Sequence, residues 1–129
     1  MKKLLSIALC AMLLVSLASA ASAELLGLGI HTYISGSDAG DNDGRGQVNS
    51  VVCTLILDDN KVIKAIQFDT AQTNVNFNKE GKLTTDLAAP VLSKLEKGEA
   101  YGMRKASPIQ KEWFEQMASL EAYCIGKTV

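Results

Sequence analysis

The polar chemistry this chain can offer a ligand is concentrated in two stretches. "FDTAQTNVN" (68–76) sets Thr70 and Gln72 among hydroxyl and amide neighbours, directly after an apolar run. "YGMRKASPIQKEWFEQ" (101–116) sets Tyr101, Arg104 and Lys105 just ahead of Ser107-Pro108. Arg104 and Lys105 supply positive charge, and a helix beginning at Ser107 would add free N–H groups and the positive end of its dipole. Together these residue types suit an anionic small ligand, with Thr70, Gln72 and Tyr101 as hydrogen-bonding partners. Each stretch also has a plain structural account. The first can be a strand running out to a polar edge, and the second can be the way a helix begins.

The remaining inventory argues for no catalytic chemistry. His31 is the only histidine. With no cysteine near it in sequence it makes a poor metal ligand, and it lacks a partner for nucleophilic catalysis. No G-x-S-x-G, P-loop, G-x-G-x-x-G or H-E-x-x-H pattern occurs. Asp58-Asp59 reads as a turn. The acidic loop "GSDAGDNDGRG" (36–46) fails as a calcium loop, because placing Gly44 at the sixth position puts Ala39 first and Ser50 last. Cys53 and Cys124 can close one disulfide in an exported chain. The alternatives are two buried free thiols, since both sit among apolar neighbours, and a thiol pair with a redox role.

Export itself is the expectation from the N-terminus. Met1-Lys2-Lys3 is a short basic region, Leu4 to Leu17 an apolar run, and Ala21-Ser22-Ala23 an A-x-A cleavage pattern. Residues 1–23 are read as a signal peptide cleaved after Ala23, and the strongly apolar part is shorter than the ~20 residues of a membrane-spanning helix. Cys10 lies too early for a lipid-anchor site and leaves with the signal. Losing Lys2 and Lys3 takes the formal net charge from −1 to −3, which gives no basic excess for nucleic acid. Residues 24–129 then suit one small domain, secreted or associated with the cell envelope.

The elements that must position these residues are legible from periodicity. Residues 24–35 read as a first strand. Residues 47–57 read as a central strand, with Val51, Cys53, Leu55 and Leu57 on one face and Val52, Thr54 and Ile56 on the other. Asp58-Asp59-Asn60 turns the chain into a returning strand, 61–69, and the turn signal at 79–82 suggests a second hairpin. Ser93 and Glu96 have capping-box spacing for a short helix closed by Gly98. The last helix is expected to start at Ser107, with Pro108 at the first helical position and Gln110 completing a capping box. Ile109, Trp113, Met117, Leu120 and Cys124 would form its apolar stripe. Loss of the Ser107 cap should then cost about 1 kcal/mol. The expected fold class is α+β: antiparallel hairpins forming a small sheet, with a C-terminal amphipathic helix packed on one face.

"GQVNSVVCTLILDDNKVIKAIQFDTAQTNVNF" and "SKLEKGEAYGMRKASPIQKEWFEQMASLEAYCIGKT" together resemble a family of small exported proteins of anaerobic Gram-positive bacteria that carry GxxYGM and EWxEQ motifs. In such relatives the chain usually runs on past the "GKTV" segment, so the resemblance implies a minimal or shortened form. The hairpin alone resembles FMN-binding domains of envelope proteins. That likeness implies non-covalent flavin binding, because the Asp-x-x-Ser/Thr-Gly-Ala-Thr motif of covalent attachment has no counterpart. Its nearest matches are Ser35-Gly36-Ser37 and Thr84-Thr85-Asp86, and neither fits.

Function divides accordingly. One reading is an exported, non-catalytic binding domain for non-covalent FMN or another anionic small molecule. The other is an extracellular structural or protein-interaction module, with an envelope protein or wall component as partner and no small ligand. The second reading expects an exposed apolar patch on the sheet or helix.

Overall fold

The computed structural model describes residues 24–129, so the predicted signal peptide, residues 1–23, lies outside the described residues. Three long strands, β1 (Leu25–Ser37), β2 (Gly44–Leu57) and β3 (Ile63–Phe77), form one antiparallel sheet in the order β1-β2-β3. The strand with apolar residues on both faces is therefore central, as its pattern requires. The turn between β2 and β3 is built by Asp58, whose carboxylate accepts the N–H groups of Asn60 at 2.9 Å and Val62 at 3.0 Å. The Val62 N–H above all, then the Asn60 N–H and the Lys64 ammonium, hold the Asp58 carboxyl below its usual range. Lys61 completes the turn with a positive φ of 61°.

β3 runs through the polar "AQTNVNF" stretch and ends with it at Phe77. Its amides, read from sequence as a polar strand edge or a ligand-contacting strip, are cross-strand partners here: Gln47 Nε2 donates to Asn74 Oδ1 at 2.8 Å, and Gln72 Nε2 donates to Asn49 Oδ1 at 3.1 Å. The expected second hairpin shrinks to a tight turn closed by the Gly81 N–H on the Asn78 carbonyl, followed by a single bridge between Phe77 and Leu83. Gly81 supplies the positive φ of 77° this turn needs.

Helix α1 (Lys94–Lys97) starts at the expected Ser93 cap. The Glu96 N–H donates to Ser93 Oγ, and the Ser93 N–H donates to Glu96 Oε2. Two short 3₁₀ turns follow, Gly98–Tyr101 and Met103–Lys105. Helix α2 (Trp113–Cys124) packs against the sheet, which makes the fold α+β. Its start corrects the sequence expectation. The Gln110 N–H bonds back to the Ser107 carbonyl at 2.9 Å, and Gln110 takes a φ of 51°. That turn breaks the helical path, so Ser107 and Pro108 lie before the helix and Ile109 stands 64% exposed. The N-cap is Glu112, extended at φ −68° and ψ 162°.

The end of the chain returns to the sheet. The Gly126 N–H donates to the Ile63 carbonyl at 2.9 Å, and the Ile63 N–H donates to the Lys127 carbonyl at 2.8 Å. Among the described residues the buried large apolar side chains are Ile63 and Trp113, so the core sits between the start of β3, its covering tail and α2. No helix among the described residues is long and apolar enough to cross a membrane.

Candidate functional site

Two regions hold the residues that could act on a partner: the connector before α2, and the sheet surface that α2 leaves open. In the connector, Glu112 is only 2% exposed. Its Oε2 accepts the Met103 N–H at 2.8 Å and its Oε1 accepts the Arg104 N–H at 3.1 Å. Glu115, at the third helical position, accepts the Glu112 N–H at 2.8 Å in the reciprocal bond of a capping box. The Arg104 guanidinium bridges Glu99 at 2.9 Å and Glu115 at 3.0 Å, and Lys111 meets Glu115 at 3.1 Å. The Glu112 N–H first, then Lys111 and Arg104, bring the Glu115 carboxyl down to about 2 from an ordinary 4.5. The same carboxylates push the Arg104 guanidinium up.

This arrangement gives the segment 101–105 an internal task. An anion bound here would need the backbone N–H groups of Met103 and Arg104 and the Arg104 charge. The chain's own Glu112, Glu99 and Glu115 occupy all three. Tyr101 faces the Lys94 ammonium, 5.0 Å from its ring centroid, and the same ammonium lies 5.7 Å from the Trp113 ring. Lys105 is exposed. Thr70 is buried on β3, while the Gln72 side chain donates to Asn49. The five residues thus fall into two sets, Tyr101, Arg104 and Lys105 on the connector and Thr70 and Gln72 on β3, and no hydrogen bond joins the sets. Glu112 was missed by the sequence reading. The spacing Glu112-x-x-Glu115 was its only trace, and a long acidic side chain is not the usual N-cap.

Cys53 and Cys124 are free thiols. Burial first, then the neighbouring Cys124 and Glu121, push the Cys53 thiol up. The Glu121 carboxylate accepts the Phe68 N–H at 2.8 Å, and Phe68 is the register partner of Cys53. These contacts place the end of α2 on the sheet face that carries Cys53, Asn49 and Thr70. Among the described residues no cluster of three or more His, Cys, Asp or Glu side chains could hold a metal ion.

The opposite face of the sheet is different. Successive residues alternate across a sheet, and the register places Leu26, Leu28, Ile30 and Ile34 of β1 beside Ile56, Thr54, Val52 and Val48 of β2 on this side. The four β1 side chains are 81%, 67%, 64% and 79% exposed. On the same face β3 contributes Ala65, Gln67, Asp69, Ala71, Thr73 and Val75. Asp69, the one ionisable side chain in these rows, accepts the Leu95 N–H. A shallow depression of about 210 Å³ lined by Leu26, Ile56, Ala65 and Gln67 ends the row. It is smaller than the ~300–1,000 Å³ of typical small-molecule sites. No protein-family model, curated protein or solved structure matches this chain.

Proposed function

We propose that this chain is an exported protein-interaction module that binds a protein partner through the open face and outer edge of its sheet. The observation that carries the reading is the aliphatic row Leu26, Leu28, Ile30 and Ile34, on a face where an antiparallel sheet open to water should alternate to polar residues. Burying a large aliphatic side chain contributes about 1.5–3 kcal/mol, so covering this row supplies roughly 4–9 kcal/mol before the cost of association. β1 is also an edge strand. Among the described residues nothing pairs with its outer side, and an unpaired edge can accept a strand from a partner. The connector offers a flavin phosphate far less, since its donors are already satisfied by internal carboxylates.

The test compares Ile30→Lys with Leu87→Lys, which changes an exposed leucine in the loop before α1. Hydrogen exchange of residues 25–37 is followed with and without the envelope fraction of the host. Partner binding keeps β1 exchanging slowly in the native chain and in Leu87→Lys, on adding the fraction or already without it, whereas Ile30→Lys exchanges freely in both conditions. Equal behaviour of the two variants overturns the reading.

A further inference from the structure

We infer that the partner of the β1 edge is a second copy of this chain, joined by antiparallel pairing of the two β1 strands about a two-fold axis through Ile30. This inference rests on the interaction reading above and names its partner.

Self-pairing demands that a strand be complementary to its own reverse. Between Leu25 and Ser37 there is no Lys, Arg, Asp, Glu or Pro. Edge strands that avoid their own copies usually carry such residues, or a bulge. β1 has neither, since its register to β2 is unbroken from Leu25 to Ser37. Two copies would therefore meet without like-charge repulsion and without a missing N–H.

The register follows from the side chains. Centring on Ile30 sets Ile30 against Ile30 of the second copy and Leu26 against Ile34 of the second copy, twice by symmetry. Shifting the centre by one residue either way opposes fewer aliphatic pairs. A shift that breaks the parity of the pairing would join the aliphatic face of one copy to the other face of its neighbour. The same centre places Gly27 opposite Tyr33 and Gly29 opposite His31 of the second copy. A Cβ on Gly29 would meet nothing within 4 Å, so there is room for a ring to lie over it, whereas the space over Gly27 is already taken by Leu55, 2.8 Å from where a Cβ would stand. Glycine opposite an aromatic ring is a favourable cross-strand pair. His31 and Tyr33 already lie side by side, with ring centroids 5.9 Å apart. The paired stretch, residues 25–35, makes a seam of about 35 Å at ~3.3 Å per residue. The result is a six-stranded sheet with one continuous aliphatic stripe across its middle.

The experiment is sedimentation equilibrium of the exported protein together with disulfide trapping. A dimer is expected, with Ile30→Lys raising its dissociation constant at least about 100-fold by setting two ammonium groups opposite each other. Thr32→Lys, a second exposed position, should act in the same direction. Ile30→Cys should cross-link to itself on mild oxidation. Thr32→Cys should not, because its counterpart lies about 13 Å along the seam. A monomer at 100-micromolar order concentration overturns the inference, and so does a dimer that ignores Ile30→Lys or cross-links at position 32 instead of 30. Hydrogen exchange separates the two failures. A monomer whose β1 is protected by the envelope fraction leaves the interaction reading standing, whereas a monomer whose β1 exchanges freely in both conditions overturns both.

Discussion

Replacing Glu112 by alanine removes the side chain that joins the connector to α2. Its two oxygens take the Met103 and Arg104 N–H groups at 2.8 and 3.1 Å, in a site almost closed to water. A hydrogen bond to a charged group contributes about 1.5–3 kcal/mol, and the two amides left behind find no replacement acceptor of comparable strength. A loss of about 3–4 kcal/mol is expected, a large share of the ~5–15 kcal/mol that holds a small domain together. Glu112→Gln keeps one acceptor oxygen and should lose about half as much. Ser107→Ala should stay within about 0.5 kcal/mol, because its hydroxyl makes only a 3.4 Å contact with Gln116 Nε2. Urea denaturation is the assay, followed by the fluorescence of Trp113, the only tryptophan and itself 8% exposed beside this site. If Ser107→Ala costs as much as Glu112→Ala, the helix starts at the serine and the reasoning about Glu112 is wrong.

Other expectations follow from separate features. Because the Glu115 carboxyl is held at about 2, it contributes stability that is fully present above 4.5 and drains away as pH falls toward 2. Acid titration of Glu115→Gln should show a shallower loss across that window. Gly36→Ala places a Cβ 2.6 Å from the Arg45 carbonyl oxygen, so backbone must move and about 1–3 kcal/mol should be lost; Gly40→Ala, with nothing within 4 Å, should be silent in the same thermal melt. Cys53, pushed up by burial, should react with iodoacetamide at pH 8 more slowly than an unperturbed thiol, as read by mass spectrometry. Titrating FMN with the protein to 100-micromolar order should leave flavin fluorescence unquenched, and strong quenching would restore an anionic ligand to the connector.

The sheet was legible because burial imposes a period of two. Val51, Cys53, Leu55 and Leu57 could share a face only in a strand, and Asp58-Asp59-Asn60 could only turn it. Ser93 and Glu96 were equally readable, since a capping box is a local device whose spacing is its signature. What escaped was set by distant partners. Asn74 and Gln72 suit either a polar strand edge or a ligand contact until Gln47 and Asn49 lie opposite them. Ser107-Pro108-Ile109-Gln110 has the grammar of a helix start, yet Glu112 stops the helix from reaching back. Its carboxylate is committed to amides nine and eight residues earlier, a match made by the path of the connector. The open face of β1 was hidden for another reason: alternation reveals two faces but not which one a helix will cover.

The return of Gly126 and Lys127 to Ile63 makes the start of β3 depend on a segment far along the chain. β1 and β2 are adjacent in sequence and can pair as soon as both have emerged. The backbone of Ile63 waits for Gly126 and Lys127 before its N–H and carbonyl are sealed. A chain delivered N-terminus first therefore stays unlatched at the start of β3 until Gly126 and Lys127 have followed. Removing residues 126–129 would strip that latch and expose Ile63, one of the two buried apolar anchors, to proteolysis.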